Sequence, residues 1–171
     1  MENFTNETLD TTRLPRFEDV SFSKLHPSYW NVVVINLSII FAILGIALSV
    51  AIYNIAEISD IKYGIGIGYM AILIFAFAIS RIAYKKKAFA FREHDVLFRN
   101  GIIATNTIII PYNRIQHVAL HEGWIARFFG LAKIEIFTAG GSSSDITIPG
   151  IEKFQAENIK QLVMGKIQKH L

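Results

Sequence analysis

The chain has 171 residues, 52% hydrophobic and only 18% charged, with a formal net charge of +3 and no cysteine. Charge well below the roughly 25% of soluble domains points to a membrane protein, and the missing thiols exclude disulfides, thiolate metal ligands and cysteine nucleophiles. The charge is uneven: residues 1–28 carry five acids against three bases, whereas residues 85–171 carry twelve bases against seven acids.

Residues 1–28 form a mixed-charge N-terminal segment. From Trp30 to Ala56 the chain then runs 27 residues without a charge, and from Tyr63 to Ser80 another 18. About 20 apolar residues cross a hydrocarbon core of roughly 30 Å. The expectation is a two-helix hairpin over 29–84, with spans at about 30–56 and 63–82 and the short link 57–62 between them. Arg13, Arg16 and Lys24 precede the first span and Arg81, Lys85, Lys86 and Lys87 follow the second, while the link holds only Lys62. By the positive-inside rule both termini face the cytoplasm, making this a multi-pass protein of the cytoplasmic membrane. Tyr29, Trp30, Tyr63 and Tyr84 sit near the four helix ends, where amphipathic rings prefer the headgroup region. Gly64 and Gly68 have the spacing that lets helix backbones approach closely. Packing of the hairpin on itself is the simpler use for them, and a homo- or hetero-oligomer interface the other.

After Tyr84 the apolar period changes to two. Strands are expected in 87–93, 95–101, 105–112, 114–120, 133–139 and 144–149, with a helical turn in 123–132 ended by Gly130. The stretch Gly140-Gly141-Ser142-Ser143-Ser144-Asp145 resembles a phosphate loop, but no lysine follows and the chain leads into a strand. It reads instead as a hairpin turn, with Ser and Asp side chains bonding the bend. Residues 152–169 place Ala156, Ile159, Leu162, Val163 and Ile167 on one helical face. Residues 85–171 thus form a cytoplasmic domain, α+β or mainly β: a bent antiparallel sheet or partial barrel capped by an amphipathic C-terminal helix.

The ordered set Ile110-Pro111, Arg114-Ile115-Gln116-His117-Val118, Gly123, Gly130-Leu131-Ala132 and Thr138-Ala139 resembles the bacterial pleckstrin-homology-like (PH-like) domain. With two preceding spans, the chain is similar to the short, YdbS-like type of that family over about residues 28–165. The resemblance implies a seven-stranded bent sheet with a C-terminal helix, and companionship with a larger membrane protein carrying several copies of the domain. It implies no agreed activity. Trp124-Ile125 stands where relatives often have Pro-Leu, which puts a tight proline turn there in doubt.

Chemistry finds little footing. His117 and His121, four apart with Glu122 adjoining, would share a metal on a helix, but on a strand they lie about 13 Å apart. Ser142, Ser143 and Ser144 lack a nucleophile elbow, and the spans carry no Asp, Glu, Lys or His of the kind that marks transport or intramembrane catalysis. No catalytic residue, metal or cofactor is expected, and the modest basicity gives no case for nucleic acid. Phosphoinositide readers crowd basic residues at the first hairpin, whereas Arg92-Glu93-His94-Asp95 holds two acids.

Arg114 and Gln116 either satisfy nearby carbonyls or meet a ligand. In the aromatic turn with Arg127, Ile125 and Phe128 close one end of the sheet, or Trp124 and Phe128 form a tip for membrane or partner. Lys85, Lys86 and Lys87 stop transfer and attract anionic lipid. The leading expectation is a non-enzymatic, membrane-anchored interaction module, a subunit or scaffold beside a larger protein of the same domain type. The alternative is a lipid-binding or envelope-stress and antimicrobial-peptide protection factor acting by direct headgroup contact through Lys85–Lys87, Trp124 and Phe128.

Overall fold

A computed structural model describes Thr8 and residues 17–54, 61–139 and 145–168, without the Gln168 side chain. A 3-10 turn at Phe17–Asp19 leads to a two-residue strand β1 (Ser23–Lys24) and then to helix α1 (Tyr29–Asn54). The Ser28 amide donates to His26 Nδ1 at 3.2 Å, so an imidazole side chain serves the opening of the helix. Helix α2 (Lys62–Lys86) returns the chain. At about 39 and 37 Å each helix exceeds the hydrocarbon core. α1 keeps close to its expected bounds, whereas α2 runs four residues past the expected Ile82, where Lys85 and Lys86 favour a helix C-terminus. The link from 57 to 60 lies outside the described residues.

Three polar side chains within α1 are satisfied by the helix itself. Asn36, Ser49 and Asn54 donate to the carbonyls of Val32, Gly45 and Val50, at 2.9, 2.8 and 2.8 Å. Such bonds let them sit in lipid without a partner helix. The hairpin itself is joined by Tyr69, whose hydroxyl donates to the Phe41 carbonyl and whose ring meets Phe41 edge-on at 5.9 Å. Gly45 makes the room: a Cβ there would stand 3.0 Å from the Tyr69 hydroxyl. A Cβ at Gly64, Gly66 or Gly68 would meet nothing within 4 Å. The hairpin-packing role expected of Gly64 and Gly68 therefore belongs to Gly45.

Among the described residues six strands follow the hairpin: β2 (Ala88–Phe91), β3 (Asp95–Asn100), β4 (Asn106–Pro111), β5 (Ile115–His121), β6 (Leu131–Thr138) and β7 (Ile146–Glu152). A short helix α3 (Trp124–Phe128) separates β5 from β6, and α4 (Lys153–Gln168) ends the described chain. The strands form two antiparallel sheets, ordered β1-β2-β3-β4 and β5-β6-β7, which do not close into a barrel. Thus the seventh strand comes from before the membrane hairpin, with Ser23 opposite Phe89 and Lys24 opposite Ala88.

The core lies between the sheets and α4. Val96, Phe98, Ile134, Ile136, Ile146 and Ile148 fill it, and Ala156 and Val163 of α4 close it without solvent exposure. Ile159 and Ile167 pack against the same core, but Leu162 is 47% exposed. Leu162 therefore leaves the buried face assigned to it, being about 100° around the helix from Val163. The bend expected at 140–145 lies outside the described residues except for Asp145. Its flanks meet as a hairpin does, with the Thr138 amide and hydroxyl donating to Asp145 Oδ2 at 2.8 and 2.7 Å.

Two consequences are measurable. Gly150 and Gly130 both have φ of +64°, but a Cβ at Gly150 would lie 2.4 Å from Cγ of Tyr29, whereas one at Gly130 would meet nothing. Gly130→Ala is expected to cost about 1 kcal/mol from left-handed strain, and Gly150→Ala about 2–4 kcal/mol because the helix entry must also shift. Chemical unfolding of the full chain in detergent compares them; equal costs would show that Tyr29 is not the constraint. Tyr112 is buried and donates its hydroxyl to the Arg92 carbonyl at 2.9 Å. Burial first, and then the Asp95 charge, push its pKa up to about 12. Because the folded value is raised, its stabilising effect is full below about pH 10 and is lost as pH rises from about 10 to 12. Tyr112→Phe should lower stability at neutral pH by about 1 kcal/mol while flattening that alkaline decline. A decline of unchanged steepness, followed by circular dichroism, would assign it to other groups.

Candidate functional site

The features of interest gather where hairpin and domain meet. Before α1, Phe22 lies under the Arg99 guanidinium at 3.9 Å, Leu25 is buried in the core, and the His26 amide donates to the Gly150 carbonyl at 2.8 Å. At the helix ends, Tyr84 lies 6.3 Å from Tyr29 and 5.9 Å from Trp30, and the Arg81 guanidinium stands 4.6 Å over Trp30 and 5.4 Å over Tyr84. These rings and the cation on them mark the membrane–water boundary, where aromatic and snorkelling residues settle.

The three consecutive lysines separate. Lys85 lines a groove of about 680 Å³ with Lys24, His26 and Gln155, whose apolar part includes Leu25, Phe89 and Ile151. Lys86 instead donates to the carbonyl of Ile102 in the β3–β4 turn. Lys87 is half-buried, in a second recess with Tyr29, Phe98 and Lys133, and loss of solvent holds its pKa below the ordinary lysine value. One basic run thus serves three neighbourhoods.

The aromatic turn also divides. Ile125 is buried against Val32 of α1 and Leu131, which brings α3 to the first turn of a membrane-spanning helix. Trp124 and Phe128 are exposed, at 69% and 83%. Ile125 does what was expected of the pair, while Phe128, three residues on, points away from the core. Arg127 is exposed and lies 3.7 Å from Glu122, which Lys153 holds at 2.9 Å. The Lys153 hydrogen bond is the main reason the Glu122 carboxyl sits below its usual pKa. Sequence reasoning missed Ile102 and Ile103, the latter 98% exposed, in the turn fastened to Lys86. The signal was two isoleucines where a turn normally carries polar residues.

Arg114 and Gln116 lie elsewhere. Arg114 closes a 3-10 turn (Tyr112–Arg114) rather than opening the strand, and its carbonyl accepts the Ala139 amide at 3.3 Å. Its side chain lines a shallow groove of about 520 Å³ with Ile108–Pro111 of β4, Thr138 and Asp145. The Asp145 carboxyl there is held below its usual range, chiefly by the Thr138 hydroxyl. Gln116 falls where the β5–β6 register shifts, a bulge that breaks strict alternation with Arg114. On β5, His117 stacks on Phe137 at 4.2 Å while His121 meets Glu135 at 3.0 Å. The two imidazoles therefore serve different neighbours, as strand spacing requires.

Comparison with known proteins agrees with this architecture. The chain is 26% identical over 91 residues to the UPF0699 transmembrane protein YdbS of Bacillus subtilis (strain 168), covering 53% of this chain and 55% of that one. It is 30% identical over 97 residues to the UPF0699 transmembrane protein YdbT of the same organism, covering 55% of this chain but 20% of that one. No solved structure matches the chain significantly. The family model described as Bacterial PH domain matches residues 30–167, from the first membrane helix through almost all of α4. An antiparallel two-sheet domain carried on two apolar helices is what that match covers, and the chain belongs to the bacterial PH domain family.

Proposed function

We propose that the protein is a non-enzymatic interaction module held at a fixed attitude on the cytoplasmic face of the cell membrane, working as a subunit or scaffold beside a larger membrane protein with the same domain type. The observation that carries this reading is the outer edge of β4. It is the last strand of its sheet, and among the described residues no strand pairs with its outer side. Ile109 is 41% exposed on that strand, and the groove with Arg114 runs alongside. An extended segment of a partner could add to such an edge through main-chain hydrogen bonds, with the groove taking alternate side chains. The partner is taken from the kinship with YdbT, of which the matched region is only a fifth. A tether a few residues long raises the effective concentration of any membrane-bound partner, so weak edge pairing would suffice.

Direct contact with lipid headgroups is a second reading, favoured by the exposure of Trp124, Phe128 and Ile103 close to the span ends. A photoreactive side chain at Ile109 of the full chain in native membranes tests the first reading, with one at Trp124 for comparison. The module reading expects Ile109 to crosslink to a larger membrane protein carrying PH-like domains. Crosslinks to lipid at Trp124 with none to protein at Ile109 would overturn it in favour of the lipid reading.

A further inference from the structure

We infer that the groove between the N-terminal segment, the end of α2 and the start of α4 is a binding site for the phosphate headgroup of an anionic phospholipid. This goes beyond the β4 edge and does not depend on it. Lys24 and Lys85 bring two cations to one cavity from opposite flanks of the hairpin. Neither has a carboxylate within ion-pair reach among the described residues, although Arg92, Arg127, Lys133 and Lys153 each have one. Among the described residues no acid lines the groove, and none lies in the first turn of α4, whose Gln155 lines it. The helix dipole there adds partial positive charge.

His26 contributes a donor. Its Nδ1 accepts the Ser28 amide, so the neutral ring carries its proton on Nε2. The groove is therefore lined by two lysines, a histidine and a glutamine, residue types whose donors suit phosphate oxygens.

Position selects the source of the phosphate. Tyr84, in the last turn of the second span, forms part of the wall, and Leu25, Phe89 and Ile151 supply apolar surface. Headgroups of the leaflet lie at that level, and glycerol or upper acyl carbons can follow the apolar wall. A soluble phosphate would gain only the polar half of these contacts.

The full chain in non-ionic detergent, titrated with phosphatidylglycerol or phosphatidylcholine, provides the test, with retained lipid counted by native mass spectrometry. Phosphatidylglycerol should be retained about ten-fold better or more, as expected for two surface lysines acting together. Changing Lys24 and Lys85 together to Gln should remove that preference, while changing both to Arg keeps it. Lys86→Gln and Lys62→Gln should also leave it intact. A preference that survives the double Gln change, or falls equally in Lys86→Gln, would overturn the site in favour of diffuse attraction. Inorganic phosphate that raises the unfolding temperature as much as phosphatidylglycerol does would overturn the lipid assignment.

Discussion

The architecture depends on one short pairing: Ser23 and Lys24, just before the first membrane helix, lie against Ala88 and Phe89, just after the second. Two residues of ladder are weak alone. Here they are reinforced by Phe22 under Arg99, Leu25 in the core, His26 on Gly150 and Tyr29 packed over a glycine that leaves it space. The pairing closes the hairpin into a ring, so both membrane-entering ends lie on the same side as the domain. It also removes the freedom that a tether would otherwise allow. A PH-like domain hung from a flexible segment samples many orientations, whereas one stitched at β1 and again at Ile125–Val32 presents the same surfaces to the bilayer. The attitude of the domain relative to the hairpin is therefore built into the chain.

That stitching was the least legible part of the sequence. The spans announce themselves because a helix in lipid must be apolar on every side over a fixed length. The later strands do so because β6 alternates between a buried and a partly exposed face, with Ile134 and Ile136 inward. β1 has no such signature. Two residues cannot show a period, and both are exposed. Their extended conformation is set by the partner strand, a long-range cause that no local window contains. Leu25 is equally silent, since an apolar residue set singly between Lys24 and His26 reads as linker until its pocket is known.

The same distinction explains the side chains that were placed wrongly. Spacing identified a small-residue face at Gly64 and Gly68, but it could not say which neighbour uses it; the bulky partner turned out to be Tyr69, and its space comes from Gly45 across the hairpin. Helical periodicity located α4 correctly and erred only for Leu162, at the margin of the buried stripe, where a few degrees decide exposure. Lys85, Lys86 and Lys87 looked like one patch because they are consecutive. Lys85 and Lys86 are separated by about 100° of helix rotation, and Lys87 lies beyond the helix, where extended backbone turns it toward the domain. Sequence adjacency described their charge, and helix geometry assigned their surroundings.

Exposed apolar side chains on the domain then fall into groups with different physical explanations. Trp124 and Phe128 adjoin the first turn of α1, and Ile103 lies in the turn fastened to the end of α2. At a bilayer surface such residues lose their cost, because the headgroup and upper acyl region accepts them as a protein core would. Ile109 on β4 is different in kind. It belongs to a strand whose outer backbone edge also lacks a strand partner among the described residues, so lipid cannot satisfy what it displays: the hydrogen-bonding groups beside it need water or another backbone. Trp124, Phe128 and Ile103 thus lie where the domain meets the hairpin, whereas Ile109 belongs to a sheet edge. The groove of Lys24, His26 and Lys85 lies at the ring closure itself. Occupation of it by a headgroup would brace the β1–β2 pairing and, through it, the attitude at which β4 is displayed.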